Sequence, residues 1–181
     1  MPRLIKALVS LLAASLTLGA AMTADAQDRE NLIYLDLEYG RVVIQLLPDV
    51  APLHVARIRE LARQGFYDNV IFHRVIDGFM AQTGDPTGTG RGGSPLPNLR
   101  SEFSQVPFER GTVGMARAQS PNSANSQFFI CFAPARFLDG QYTVWGRVIQ
   151  GMEFVDRIHR GEPPANPDRI VRMRVAADVT D

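Results

Sequence analysis

From Leu32 the chain alternates between apolar and polar positions. Ile33, Leu35 and Leu37 fall on one face, with Tyr34, Asp36 and Glu38 on the other, which is the period of a half-buried strand. Tyr39-Gly40 follows and Arg41 to Leu47 resumes the alternation, so a hairpin is expected. A two-residue loop at Tyr39-Gly40 sets Leu37 against Val42, Leu35 against Ile44 and Ile33 against Leu46, giving a single buried face. Pro48 ends the second strand. Beyond Pro52 the period changes: Val55, Ile58, Leu61 and Ala62 recur at helical spacing, Arg57, Arg59, Glu60 and Arg63 fall outside, and Gly65 caps the end. His54 reads as a surface residue at the start of this helix.

Strand signals then recur. Phe72 to Asp85 reads as strand, turn and strand about Asp77-Gly78, and Gly111–Met115, Ser126–Phe132, Tyr142–Ile149 and Ile170–Ala176 read as further strands. Ser126–Phe132 is apolar on both faces, so it should be covered on both sides, leaving Gln127 in need of a partner or ligand. Trp145 reads as core. Gly151 to Arg160 carries Met152, Val155 and Ile158 at intervals of three, a second short helix. The stretch from Gly84 to Pro107 is a long Gly- and Pro-rich loop, of the kind that often carries function. It lacks the Gly-Lys-Ser/Thr ending of a phosphate-binding loop. About eight strands, two helices and no internal repeat imply one mainly β domain: a closed eight-stranded antiparallel barrel capped by two α-helices.

The first 26 residues differ from the rest. Arg3 and Lys6 precede an apolar run from Ala7 to Ala21, and Ala24-Asp25-Ala26 has the small-x-small form of a cleavage site. The expectation is a secretory signal peptide cut after Ala26, a mature domain of residues 27–181, a periplasmic or secreted location, and no stable membrane anchor after cleavage. Lys+Arg and Asp+Glu stand at 19 each, so charge gives no reason to expect nucleic acid or an anionic membrane as partner. Cys131 is the sole cysteine, which excludes an internal disulfide and reads as a small buried thiol. The three histidines, His54, His73 and His159, are scattered, so neither a metal centre nor another cofactor is implied.

The chemistry concentrates in Phe72 to Asp85. Arg74 is a permanently charged, forked donor, Gln82 an amide, and Phe79 and Met80 are large apolar groups. His73 points to the face opposite Arg74 in an ideal strand and reads as structural. The segments FHRVIDGFMAQTGD (72–85), GTVGMARA (111–118), NSQFFICF (125–132), FLDGQYTVWGRV (137–148) and GMEFVDRI (151–158) resemble, in order, those of the cyclophilin family of peptidyl-prolyl isomerases. The resemblance spans essentially the whole chain after the leader. It implies a cyclophilin-like barrel that speeds X-Pro bond rotation without a covalent intermediate or cofactor.

It further implies a catalytic Arg74 and a substrate groove of Phe79, Met80, Gln82, Ala116, Arg117, Gln127, Phe129, Phe137, Leu138 and Tyr142. Phe137, Tyr142 and Arg117 stand where the best-known eukaryotic members have Trp, His and Asn, and look like the exported bacterial branch. Loss of the indole donor at 137 implies weak cyclosporin binding. The implied partners are proline-containing segments of folding exported proteins, met by a monomer. A proline-peptide binding module with incidental turnover is the alternative, and Arg74→Ala separates the two.

Overall fold

The computed structural model describes residues 28–180, so the expected leader and its cleavage site lie outside the described residues. Strands β1 (Leu32–Leu37) and β2 (Gly40–Leu46) form the first hairpin. Its turn is Glu38-Tyr39, because Gly40 pairs with Leu37; Leu35 faces Val42 and Ile33 faces Ile44. The register thus differs by two residues from that expected. An even shift leaves every side chain on its own face, and Ile33, Leu35, Leu37, Val42, Ile44 and Leu46 are all buried. Gly40 opens β2 because a Cβ there would lie 2.6 Å from the Phe154 ring.

Helix α1 (Pro52–Arg63) carries Pro in its first turn and buries Val55, Ile58, Leu61 and Ala62, packing on the strands Val144–Gln150 and Arg172–Val175. Two of its polar residues are not where the sequence pattern puts them. His54 is fully buried: Glu102 accepts the Leu53 and His54 backbone N–H groups at 3.0 Å each and meets His54 Nδ1 at 2.6 Å. A distant carboxylate therefore caps the helix and draws the imidazole inward. Arg57 is also buried, donating to the carbonyls of Pro97 and Asn125 and so tying two loops to the helix.

The remaining strands are β3 (Arg74–Ile76), β4 (Met80–Thr83), β5 (Thr112–Met115), β6 (Phe128–Cys131), β7 (Val144–Gln150) and β8 (Arg172–Val175). All eight pair antiparallel in the order β3-β4-β6-β5-β7-β2-β1-β8. The sheet curls but does not close. β3 and β8 remain edges, and this corrects the expectation of a closed barrel to an open half-barrel. Between them runs an irregular segment containing Pro163, Pro164 and Pro167, residues without the N–H that a ladder needs. It forms no continuous ladder with those edges and pairs through isolated bridges, Ile71 to Arg169 and Val75 to Gly161.

The second helix, α2 (Met152–Val155), is a single turn and does not run on to Arg160. Arg160 instead donates to the carbonyls of Asp156 and Ile158, and Asp156 pairs with Arg110. Among the described residues the interior has two apolar clusters. The larger includes Tyr67, Phe72, Phe128 and Trp145; the smaller, under the functional face, holds Met80, Phe108, Phe129, Cys131, Ala135, Leu138 and Val144. Burial pushes the Cys131 thiol up to about 12, so it is an inert packing group. No helix among the described residues is long and apolar enough to cross a membrane.

Candidate active site

Strand pairing builds the floor of a groove from residues far apart in the chain. Arg74 faces Gln82 across β3 and β4, Gln82 faces Phe129 across β4 and β6, and Phe129 faces Gly114 across β6 and β5. These four form one cross-strand row, in which neighbouring side chains touch. Gly114 is part of the design: a Cβ there would stand 2.6 Å from both the Phe108 and Phe129 rings. Its absence lets those rings stack at 5.7 Å between centroids, and together they support the groove from below.

The groove is a cavity of about 790 Å³. Arg74, Phe79, Met80, Gln82, Ala116, Arg117, Phe129, Phe137, Leu138 and Tyr142 all line it. Gln127, the remaining candidate, lines an adjoining cavity of about 580 Å³ that shares Gln82, Ala116 and Arg117. The short 3₁₀ turn Arg136–Leu138 sends Leu138 inward and leaves Phe137 67% exposed, tilted against Phe79 at 5.3 Å. Tyr142 stands edge-on to Phe129 at 5.9 Å. The Arg117 guanidinium lies over the Tyr142 ring and donates to the carbonyls of Ala118, Gln119 and Gln141, so its charged end serves the rim.

A directional hydrogen-bond chain ends on Arg74. It starts at Asp85, fully buried, which accepts the Thr87 N–H and hydroxyl at 2.8 Å each and the Gly92 N–H at 3.0 Å. Burial alone would raise its pKa, but these donors outweigh it and hold the carboxyl at about 2. The loop folded on Asp85 presents the carbonyls of Gly90 and Gly92, and Gln127 Nε2 donates to both, at 3.0 and 2.8 Å. Gln127 Oε1 is thereby turned to accept from Gln82 Nε2 at 2.9 Å. Gln82 Oε1 then faces Arg74 Nη1 at 3.4 Å. On its other side Arg74 Nε donates to Glu162 Oε1 at 2.8 Å.

Six further lining residues escaped sequence reading: His73, Gly88, Thr89, Gly90, Glu162 and Pro163. His73 is buried beneath the cavity, and burial lowers its pKa against the opposing pull of Asp85. Glu162 sits in a loop without periodicity, 88 residues from Arg74, so no local pattern could have joined them. Chemically, the site sets the Arg74 cation beside an apolar floor, flanked by amides. Among the described residues no group of three or more His, Cys, Asp or Glu side chains is placed to hold a metal ion.

Residues 32–175 match the family model described as cyclophilin type peptidyl-prolyl cis-trans isomerase. The chain belongs to the cyclophilin family. A protein of Brucella suis named "Probable peptidyl-prolyl cis-trans isomerase" is 51% identical over 180 residues, covering 91% of this chain and 92% of that one. "Peptidyl-prolyl cis-trans isomerase-like 1" of Aspergillus fumigatus is 38% identical over 155 residues, covering 81% and 96%. Among solved structures, a cyclophilin from Hirschia baltica superposes with a TM-score of 0.78 at 32% identity over 84% of this chain and 76% of that one. A Cryptosporidium parvum cyclophilin, crystallised in the presence of the dipeptide Ala-Pro, gives 0.74 at 30% over 80% and 98%. The cyclophilin described here is accordingly a peptidyl-prolyl cis-trans isomerase, and its site geometry is to be understood in those terms.

Proposed function

We propose that this cyclophilin accelerates X-Pro rotation in exported proteins as they fold, with Arg74 as the catalytic donor. The X-Pro bond resists rotation because amide resonance gives C–N double-bond character, a barrier of about 20 kcal/mol. Halfway through rotation the resonance is lost and the proline nitrogen regains its lone pair. A donor aimed at that nitrogen stabilises the twisted state and does little for the planar one. The observation that carries this reading is the position of Arg74. Its guanidinium is held at the edge of the apolar cavity by Glu162 and Gln82, with Phe79, Met80, Phe129 and Leu138 lining the space for a pyrrolidine ring.

A charge-assisted hydrogen bond contributes about 1.5–3 kcal/mol, or roughly 10- to 100-fold in rate. Water exclusion by the aromatic floor favours the less polar twisted amide and adds to it. Gln82, Gln127 and the Arg117 backbone hold the peptide on either side. No base, nucleophile or covalent intermediate enters this mechanism. The expected result is that Arg74→Ala retains peptide binding through the floor while its rate collapses, read as kcat against KM on an X-Pro peptide.

The basic, apolar and small-x-small sequence of residues 1–26 supports export with cleavage after Ala26 and a periplasmic or secreted location, in keeping with the exported bacterial branch of the family. Mass analysis of the protein recovered from the cell envelope should give a chain starting at Gln27; an intact leader would contradict this. The protein works as a monomer in this account, which sedimentation checks. Phe137 lacks the indole N–H donor, so cyclosporin should bind weakly.

A further inference from the structure

The open seam of the sheet places an unassigned residue beside the catalytic arginine. Gly161 and Val75 exchange both backbone hydrogen bonds at 2.8 Å, an antiparallel bridge. In such a bridge the residue after one partner faces the residue before the other, so Glu162 stands across from Arg74. On its opposite side Arg74 faces Gln82. Arg74 is thus flanked by two cross-strand acceptors, Glu162 on Nε at 2.8 Å and Gln82 on Nη1 at 3.4 Å. Among the described residues its Nη2 has no hydrogen-bond partner. The bridge itself is rigidly placed: Gly161 has φ +147, and a Cβ on it would fall 2.5 Å from Pro164 Cα.

We infer that Glu162 is a positioning residue for Arg74: its carboxylate fixes the Nε edge of the guanidinium so that the free edge faces the cavity. Glu162 is the one carboxylate among the residues lining that cavity. Arg side chains lose several rotatable bonds of freedom on ordering, and Arg74 is 44% exposed along its side chain, so it is not locked by packing. Gln82 alone, at 3.4 Å, is a weak tether. Glu162 supplies the second point that sets the plane of the fork. It acts on the arginine, and the substrate need not touch it.

The inference rests on Arg74 being the donor, and the test separates the two claims. Four forms of the full protein are compared on an uncharged X-Pro peptide: wild type, Glu162→Ala, Arg74→Ala, and both together. Glu162→Ala is expected to lower kcat about 3- to 5-fold, the scale of an exposed ion pair, with KM unchanged. In the Arg74→Ala background the same change should have no effect, since its target is gone. Glu162→Gln keeps an acceptor for Nε–H and should recover kcat to within about 2-fold of wild type, because orientation is what Glu162 provides.

An unchanged kcat in Glu162→Ala overturns the inference, as does a faster variant, a raised KM at constant kcat, or an equal loss in the Arg74→Ala background. If Arg74→Ala keeps its rate, the donor assignment itself fails. A readout on the unaltered protein covers the case in which Glu162→Ala does not fold. The Arg74 Nε–H signal in a ¹⁵N spectrum should be resolved and slow to exchange with water, and a signal exchanging as fast as that of a free arginine side chain contradicts the pairing.

Discussion

The floor of the groove and its rim are made by different means. Arg74, Gln82, Phe129 and Gly114 belong to one row fixed by strand register, and each is placed by the backbone ladder that also stabilises the fold. The rim is supplied by Gly90, Gly92, Phe137 and Glu162, which come from loops and short turns. These are placed by single carboxylates and bridges: Asp85 folds the 85–92 loop, Asp139 accepts the Phe108 N–H at 2.8 Å, and Gly161 pairs with Val75. The buried members of that row, Phe129 and Gly114, should therefore fail by losing stability and activity together, whereas Arg74 at its exposed end carries activity without stability. The rim can be altered residue by residue, with activity changing while the fold persists.

The largest effect is expected on the floor. Gly114→Val pushes a branched side chain into the Phe108 and Phe129 rings, 2.6 Å from where its Cβ would sit. Overpacking of this kind costs about 3 kcal/mol, visible as a lowered urea midpoint, and displacement of Phe129 should raise KM as well. A loss of activity at full stability would break the comparison. Next comes the link between the two regions. Gln127→Glu removes the donor that meets the Gly90 and Gly92 carbonyls and sets a carboxylate against them. Both stability and rate should fall, by about 2–3 kcal/mol and roughly 10-fold respectively.

The loop behind the rim has its own pH signature. The hydrogen bonds to Asp85 hold its carboxyl at about 2 in the folded protein, below the 3.8 of a free aspartate side chain. A carboxylate with a depressed folded pKa adds stability above its unfolded value, and loses it as pH falls through the folded one. Asp85 therefore contributes about 2 kcal/mol at neutral pH, fading between about pH 4 and pH 2. Asp85→Asn should flatten the urea midpoint across that window; an unchanged slope would contradict the assignment. The smallest effect is at the outer rim. Phe137→Ala should leave stability within about 0.5 kcal/mol and slow a short peptide less than about 3-fold. Phe137→Trp should tighten cyclosporin roughly 10-fold by supplying an N–H donor.

The same division explains what was legible in the sequence. Period-2 alternation and the Asp77-Gly78 turn marked the strands that carry Arg74, Gln82 and Phe129, because a strand writes its faces into adjacent residues. Helix α1 was equally plain, but not that His54 and Arg57 turn inward, since their partners Glu102, Pro97 and Asn125 lie 40 or more residues away. The first hairpin kept its buried face although its turn sat one residue early, at Glu38-Tyr39, and its register shifted by two. Closure of the sheet was not legible, because no local pattern reveals that a Pro-rich segment will occupy the gap between β3 and β8. Glu162 was missed for that reason: the segment that prevents closure is the one that brings it to Arg74.

The central claim is that Arg74 turns an apolar peptide groove into a catalyst. The measurement that tests it most directly is the cis-to-trans relaxation of a short X-Pro peptide at low temperature, with wild type and Arg74→Ala compared at matched stability. The account predicts rapid exchange in the wild type and a loss of roughly 10- to 100-fold in kcat in the variant, with KM little changed. A folded Arg74→Ala protein that isomerises the peptide as fast as wild type would contradict it.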